Sequence, residues 1–424
     1  MAAQQQEHGA SGGAWSRRGV LAGLLGAPVL LVAACNGNGS GSGGGKAGGA
    51  GAGSGAPPGG ATASPQTSAA RITVSPADGT ANAPFTAPVT VTVTDGTLGS
   101  VTVTDAAGGR IAGQLAPDAR SWTSTAPLSS GTRYSVAADA TDARKLAADA
   151  NTSFGTATPA NTFVGYFTPE NGATVGVGMP VSITFNKPVT NRKAVQQAIT
   201  VVADPGVPVV GHWYSSTRLD FRPQQYWAKG TKVTLKLRLK DVEGANGVFG
   251  TQSKDVDFTV GRAQTSVADL AAGTLTVTTD GQVSAVYQVI GGAPAHRTWA
   301  GRMVISERFA QTKMDSATVG LGDEYNIPDV PHAQRLTASG TFIHGNYWSP
   351  ASAYGHANLS HGCIALRDVK GGGNPGTDGA KFYASSILGD VVEVVNSGDR
   401  TVDPANGLSD WNLSWADWTA GSAV

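Results

Sequence analysis

One cysteine stands among histidines in the last third of the chain. Four of the seven histidines, His332, His344, His356 and His361, fall within thirty residues, and Cys363 follows two positions after the last. A thiolate is a strong nucleophile, and an imidazole beside it supplies that form near neutral pH. A lone cysteine is more often a small buried apolar residue. Three features favour chemistry here. The only other cysteine, Cys35, has a separate purpose written around it, so Cys363 has no disulfide partner. Ser360-His361-Gly362 precedes Cys363, and glycine lets backbone approach a substrate closely. His344 ends the apolar, strand-like stretch Gly340-Thr-Phe-Ile343 and could reach the sulfur. The rival is zinc, which His and Cys at this density can also bind. Neither a second nearby cysteine nor a His-Glu-x-x-His helix supports it, so no metal and no cofactor is expected.

The flanking sequence supplies elements that would position these residues. The segments 274–278 and 283–290 alternate on either side of Asp280-Gly281, the pattern of a β-hairpin. A helix is expected from Asp378 to Leu388, stopped by Gly389 and followed by the apolar strand Val391-Val-Glu-Val-Val395. Trp411, Trp415 and Trp418 recur at i, i+4 and i+7, one stripe of a helix that packs the tail onto a neighbouring domain. Trp348 and Tyr354, in the lid-like stretch 345–359, are the aromatic candidates for touching substrate.

Upstream, Val89, Val91 and Val93 alternate with Thr90, Thr92 and Thr94, and the pattern resumes at Val101 and Val103 after Asp95-Gly96. This is the period-two signature of half-buried antiparallel strands, and it returns at 181–185, 233–239 and 256–260. Ser75-Pro-Ala-Asp-Gly79 is echoed by Thr168-Pro-Glu-Asn-Gly172, 93 residues later. About 100 residues of such strands is the size of an immunoglobulin-like sandwich. The expected fold is therefore mainly β: two tandem immunoglobulin-like β-sandwiches at 70–159 and 160–262, the second with a short helix from Asn191 to Thr200. A β-rich domain at 263–398 and a Trp-rich packing segment at 399–424 complete it. Neither sandwich gathers ionisable groups suited to chemistry, so both read as spacers.

The first residues read as an address. Arg17-Arg18 open a twin-arginine-like start, and sixteen apolar residues from Gly19 to Ala34 stop at Cys35, too few for a comfortable membrane span. The ending Leu31-Val-Ala-Ala-Cys35 resembles a bacterial lipobox. Residues 1–34 are thus expected to be a signal peptide, and Cys35 the lipidated residue that anchors the protein at the extracytoplasmic face of the cell membrane. The stretch 36–69 is mostly Gly, Ser, Ala and Pro, with thirteen of the chain's 58 glycines between 36 and 60. Such sequence buries no core and behaves as a flexible tether. Charged residues make up 14% of the chain and cancel to a net charge of zero, which argues against a nucleic-acid partner.

Around Cys363 the sequence resembles a known family. His344, one residue, fourteen more, then Ser360-His361-Gly362-Cys363 is similar to the signature of the L,D-transpeptidase catalytic domain, the YkuD fold. Tyr325 lies 19 residues before His344, where members place a lid tyrosine. The tail segments 389–396 and 410–418 resemble actinobacterial members, lipoproteins with two immunoglobulin-like modules. The resemblance implies that Cys363 attacks a peptide carbonyl and that His344 takes its proton. It implies that the Gly345 carbonyl orients the His344 ring, and that the Gly362 and Cys363 N–H groups, with the Tyr325 hydroxyl, face the oxyanion. His361 reads as a structural or substrate-contacting neighbour and an alternative base, while Ser360 and Trp348 read as substrate contacts.

The chain departs from the family where members carry Asn or Arg two residues after the cysteine: here stands Ala365, with Arg367 as a substitute. Gly345 replaces a frequent serine and would loosen its loop, and Arg297-Thr-Trp-Ala-Gly-Arg302 replaces a Thr-Pro segment. The implied activity joins peptidoglycan stem peptides by 3→3 cross-links. D-Ala leaves a tetrapeptide donor, a diaminopimelate amine accepts, and carbapenems acylate Cys363. The alternatives are an L,D-carboxypeptidase, with water as acceptor, and a non-catalytic wall-binding lipoprotein.

Overall fold

The structure, a computed structural model, describes residues 66–424. The signal-peptide reading of 1–34, the lipidation of Cys35 and the linker up to residue 65 lie outside the described residues. No helix among the described residues is long and apolar enough to cross a membrane.

Alternation decides the faces of the first sandwich. In Thr90–Thr94, Val91 and Val93 point inward and the threonines outward. That strand lies between Arg71–Ser75 and Ser121–Ser124 in a four-stranded sheet. A three-stranded sheet of Thr97–Asp105, Arg133–Thr141 and Ala147–Gly155 completes the sandwich. Val89, Trp122, Tyr134 and Phe154 fill the space between. The second sandwich repeats the plan with four strands on each side, drawn from Gly165–Thr168 to Ser253–Val260.

The repeated sequence does the same task in both. Gly79 and Gly172 have φ of 75° and 77°, a region glycine enters without penalty. Asp78 accepts a hydrogen bond from the Ser153 N–H (2.8 Å), and Asn171 one from the Asp257 N–H (2.9 Å). Each turn is thereby pinned to the final strand of its own sandwich. The expected helix at 191–200 is shorter, Arg192–Gln197 capped by Asn191, because Ile199 already enters the strand Ile199–Asp204.

A nine-stranded sheet builds the C-terminal domain. From one edge it runs Gly301–Val304, Val391–Val395, Gln264–Asp269, Thr274–Thr279 and Gln282–Ile290. It continues with Ile364–Arg367, Phe342–Asn346, Asn326–Arg335 and Glu307–Asp315. The helix Asp378–Ser385 ends three residues before the expected Leu388: Ser386 turns extended, and the Ile387 N–H bonds to the Asp390 carboxylate at 2.8 Å.

The tail corrects one expectation. Its tryptophans do not share a helix, since a 3₁₀ turn at Asp410–Asn412 and a helix at Trp415–Ala420 are separated by Leu413 and the capping Ser414. They meet on the second sandwich instead. The Arg222 guanidinium lies 4.7, 5.6 and 4.3 Å from the ring centres of Trp411, Trp415 and Trp418. The indoles of Trp411 and Trp418 donate to the carbonyls of Gly178 (2.7 Å) and Val210 (2.9 Å).

Candidate active site

Two parallel strands at the middle of the large sheet bring the reactive side chains together. Phe342–Asn346 pairs with Ile364–Arg367 so that Ile343 faces Ile364 and His344 faces Ala365. Cys363, one residue before its strand, therefore stands beside Phe342. Residues two apart share a face of a strand, which puts Cys363 and His344 on the same side. The Phe342 N–H donates to the Cys363 sulfur (3.4 Å), and the thiol points toward the Gly340 carbonyl (3.7 Å).

The His344 ring is oriented by its own backbone. Its Nδ1 lies 2.8 Å from the Gly345 carbonyl oxygen. A carbonyl only accepts, so Nδ1 carries the hydrogen and Nε2 keeps a free lone pair. Burial pushes the Cys363 thiol up to about 11 and pushes the His344 imidazole below its ordinary value. Both shifts favour the uncharged forms, a neutral thiol and a neutral imidazole.

Gly345 is a requirement of packing. A side chain there would begin 2.2 Å from the Asp368 carboxylate. That carboxylate is buried and accepts from His332 Nδ1 (2.7 Å), the Thr377 hydroxyl (2.9 Å) and the Val369 N–H (2.8 Å). The expected looseness at Gly345 is therefore wrong: the residue lies inside a strand, buttressed by Asp368. Asp368 also favours the charged form of His344, although burial outweighs it. His332 belongs to this support and not to the cleft.

His344 and Cys363 open into a cleft of about 140 Å³ walled by Tyr325, Asn346, Ser360 and His361. It is smaller than the several hundred Å³ of a typical ligand pocket. It has room for a small group, and anything larger would extend across the rim. Trp348 stands at that rim, 43% exposed, with its ring parallel to His344 and centres 5.8 Å apart. Burial raises the Tyr325 hydroxyl to about 12, so it stays a proton donor at neutral pH.

Other expected residues sit differently. The Ser360 hydroxyl is used inside its own turn, donating to the Cys363 carbonyl (2.6 Å) and accepting the Gly362 N–H (3.2 Å). The Gly362 N–H thus already has a partner where an oxyanion donor was expected. Gly362 has φ 107°, which explains the glycine. Tyr354 is buried and donates to the Asn346 carbonyl (2.7 Å), so it shapes the loop and does not face substrate. Ala365 packs with Ile290, Ala353 and Tyr354, an apolar patch where relatives were expected to carry a polar side chain. Arg367 is exposed and outside the cleft lining. The His361 Nε2 is 3.2 Å from Glu324, which suits a neighbour better than a base.

Asn346 was missed. Its side-chain oxygen accepts the N–H groups of Trp348 and Ser349 (both 3.0 Å), an Asx turn that starts the loop carrying Trp348. Asn followed by Ser three residues on was the available signal.

Residues 263–392 match the L,D-transpeptidase catalytic domain, YkuD, and residues 80–243 match a bacterial Ig domain. The chain is 32% identical over 358 residues to L,D-transpeptidase 2 of Mycobacterium tuberculosis (strain CDC 1551 / Oshkosh), covering 83% of this chain and 85% of that protein. It is 31% identical to L,D-transpeptidase 5 of Mycobacterium tuberculosis (strain ATCC 25618 / H37Rv), covering 84% and 78%. Among solved structures, LD transpeptidase LdtMt1 in complex with imipenem is 30% identical with a TM-score of 0.46, covering 56% of this chain and all of that one. The identity to L,D-transpeptidase 2 extends over more than four fifths of both proteins, and on it this chain belongs to the L,D-transpeptidase family.

Proposed function

We propose that the protein is a peptidoglycan L,D-transpeptidase that forms 3→3 cross-links through a thioester on Cys363. The observation that carries this is the His344–Gly345 hydrogen bond, which leaves Nε2 as a proton acceptor in the cleft it shares with the thiol. The sulfur attacks the carbonyl between the third and fourth residues of a donor stem, and its proton passes to His344 Nε2. The C–N bond breaks, the departing D-Ala amine takes that proton, and a thioester remains. A diaminopimelate amine of a second stem then attacks the thioester, returning a proton through His344 and freeing the thiol. The Cys363 N–H and the Tyr325 hydroxyl stabilise the oxyanion in both steps. The Gly362 N–H joins them once it leaves Ser360.

Carbapenems fit the same scheme, because an acyl donor with no competing acceptor leaves its adduct on the sulfur. The expected lipid on Cys35 and placement outside the cell membrane are part of the proposal and rest on the apolar run ending at that cysteine. Muropeptide analysis tests the activity: the native chain produces 3→3 dimers from tetrapeptide stems, and Cys363→Ala produces none. Tripeptide without dimer would instead support the carboxypeptidase, since only water would then be accepting.

A further inference from the structure

At the rim of the cleft, three residues from separate segments converge. His296 lies in the connection between Gln282–Ile290 and Gly301–Val304, Glu324 in the turn before Asn326–Arg335, and His361 in the turn before Cys363. Both imidazoles direct Nε2 at the same Glu324 oxygen, each at 3.2 Å, and the two ring centres are 5.0 Å apart. One ligand atom from each residue falls within 4.8 Å of the others, the only such group of three among the described residues.

We propose that His296, Glu324 and His361 form a binding site for a zinc-class divalent transition ion. Zinc takes imidazole nitrogen and carboxylate oxygen at about 2.0–2.2 Å, and a tetrahedron with such bonds has edges of about 3.3 Å. The two N···O separations, each 3.2 Å, are already close to that edge. His296, His361 and Glu324 are 27%, 37% and 40% exposed at their side chains, which leaves these side chains room to rotate toward a shared ion. Three protein ligands leave at least one position open, as in zinc sites that exchange their fourth ligand. Neutral imidazole with one carboxylate is also a donor set that the copper, nickel and cobalt end of the first-row series prefers over magnesium or calcium. Of the three, only His361 lies in the histidine-rich stretch near Cys363; His296 and Glu324 lie upstream of it.

The site has a structural consequence. Glu324 adjoins Tyr325, and the Tyr325 ring centre is 5.0 Å from that of His361. An ion held by Glu324 and His361 ties the segment carrying the cleft-wall tyrosine to the turn that presents Cys363.

Cobalt(II) titration of the purified full chain, read by visible absorption, tests it. The expected result is one equivalent of cobalt with ligand-field bands and no sulfur-to-cobalt charge-transfer band, displaced by zinc and retained in Cys363→Ser. Glu324→Gln keeps the shape of the side chain while removing the anionic ligand, and His296→Ala removes another. Each should weaken binding by more than about tenfold, the loss already seen when a residue that merely supports a ligand is removed. No saturable binding, or binding unchanged in Glu324→Gln, would overturn the site and leave a hydrogen-bonded His–Glu–His cluster. A charge-transfer band that vanishes in Cys363→Ser would overturn it too, by placing the ion on the thiolate.

Discussion

The two sandwiches share a strand plan and a pinned turn, and they differ in where their cores lead. The first closes on itself: Val91, Trp122, Tyr134 and Phe154 pack only against residues of their own module, apart from Phe249 of the second, which meets Phe85 edge-on at 4.9 Å. The core of the second runs on into the C-terminal domain, taking in Val304 and Val391 from the large sheet and Leu408 and Trp411 from the tail. Glycine makes that approach possible, since a side chain at Gly176 would meet Asp390 at 2.3–2.4 Å and one at Gly178 would meet Val391 at 2.3 Å. Similar modules can therefore have unequal roles. The second is part of the catalytic domain's fold, and the first is joined across a thin seam.

The junction offers the largest expected effect. Trp411→Ala removes a buried aromatic and its bond to Gly178, and should cost about 3–5 kcal/mol, the usual loss for such a truncation. Calorimetry of the native chain should show the second sandwich and catalytic domain melting together, and of the variant, melting apart. A variant that still melts as one unit would break the comparison.

Asp390 gives the junction a pH signature. Burial raises its carboxyl to about 6 despite an ion pair with Arg262 at 2.8 Å, and one of its oxygens has no partner. The native state then holds this proton more tightly than the unfolded chain does. Junction stability should fall as pH rises from about 4 to 6, by up to roughly 3 kcal/mol, and stay at the lower value above that. Asp390→Asn should flatten this slope in denaturant titrations across that range, while the first sandwich shows none of it.

A matched pair sharpens the comparison further. Gly79→Ala and Gly172→Ala place the same strained residue in the same turn, with no crowding at either site, at about 1–2 kcal/mol each. Thermal scans should show the first lowering only the transition of its own sandwich, and the second lowering that of the catalytic domain. The smallest effect is expected from deleting residues 66–157: carbapenem acylation of Cys363, followed by mass spectrometry, should stay within about twofold, because cooperative units with few shared contacts act independently.

Much of this was legible in the sequence for local reasons. Alternating Val and Thr report faces directly, and the Pro-x-Asp/Asn-Gly repeat reports a turn wherever it occurs. His344 and Cys363 were legible because one ends an apolar strand-like stretch and the other closes the short run Ser360-His361-Gly362-Cys363 just before a strand. What escaped depends on contacts distant in sequence. Asp368 follows a strand like any surface acid, yet it fills the space that makes Gly345 necessary. Arg222 reads as an outward strand residue, but three tail tryptophans cover it. The spacing of those tryptophans suggested one helix because periodicity does not register the break at Leu413-Ser414. Tyr354, read as a substrate contact in a polar loop, is held inside by the carbonyl of Asn346.

The central claim is that Cys363 is the acylated nucleophile, and the most direct measurement is the intact mass of the full chain after incubation with meropenem. One adduct is expected, mapping to the peptide that contains Cys363 and missing from Cys363→Ala. An unmodified native chain, or an adduct that persists in Cys363→Ala, would contradict it.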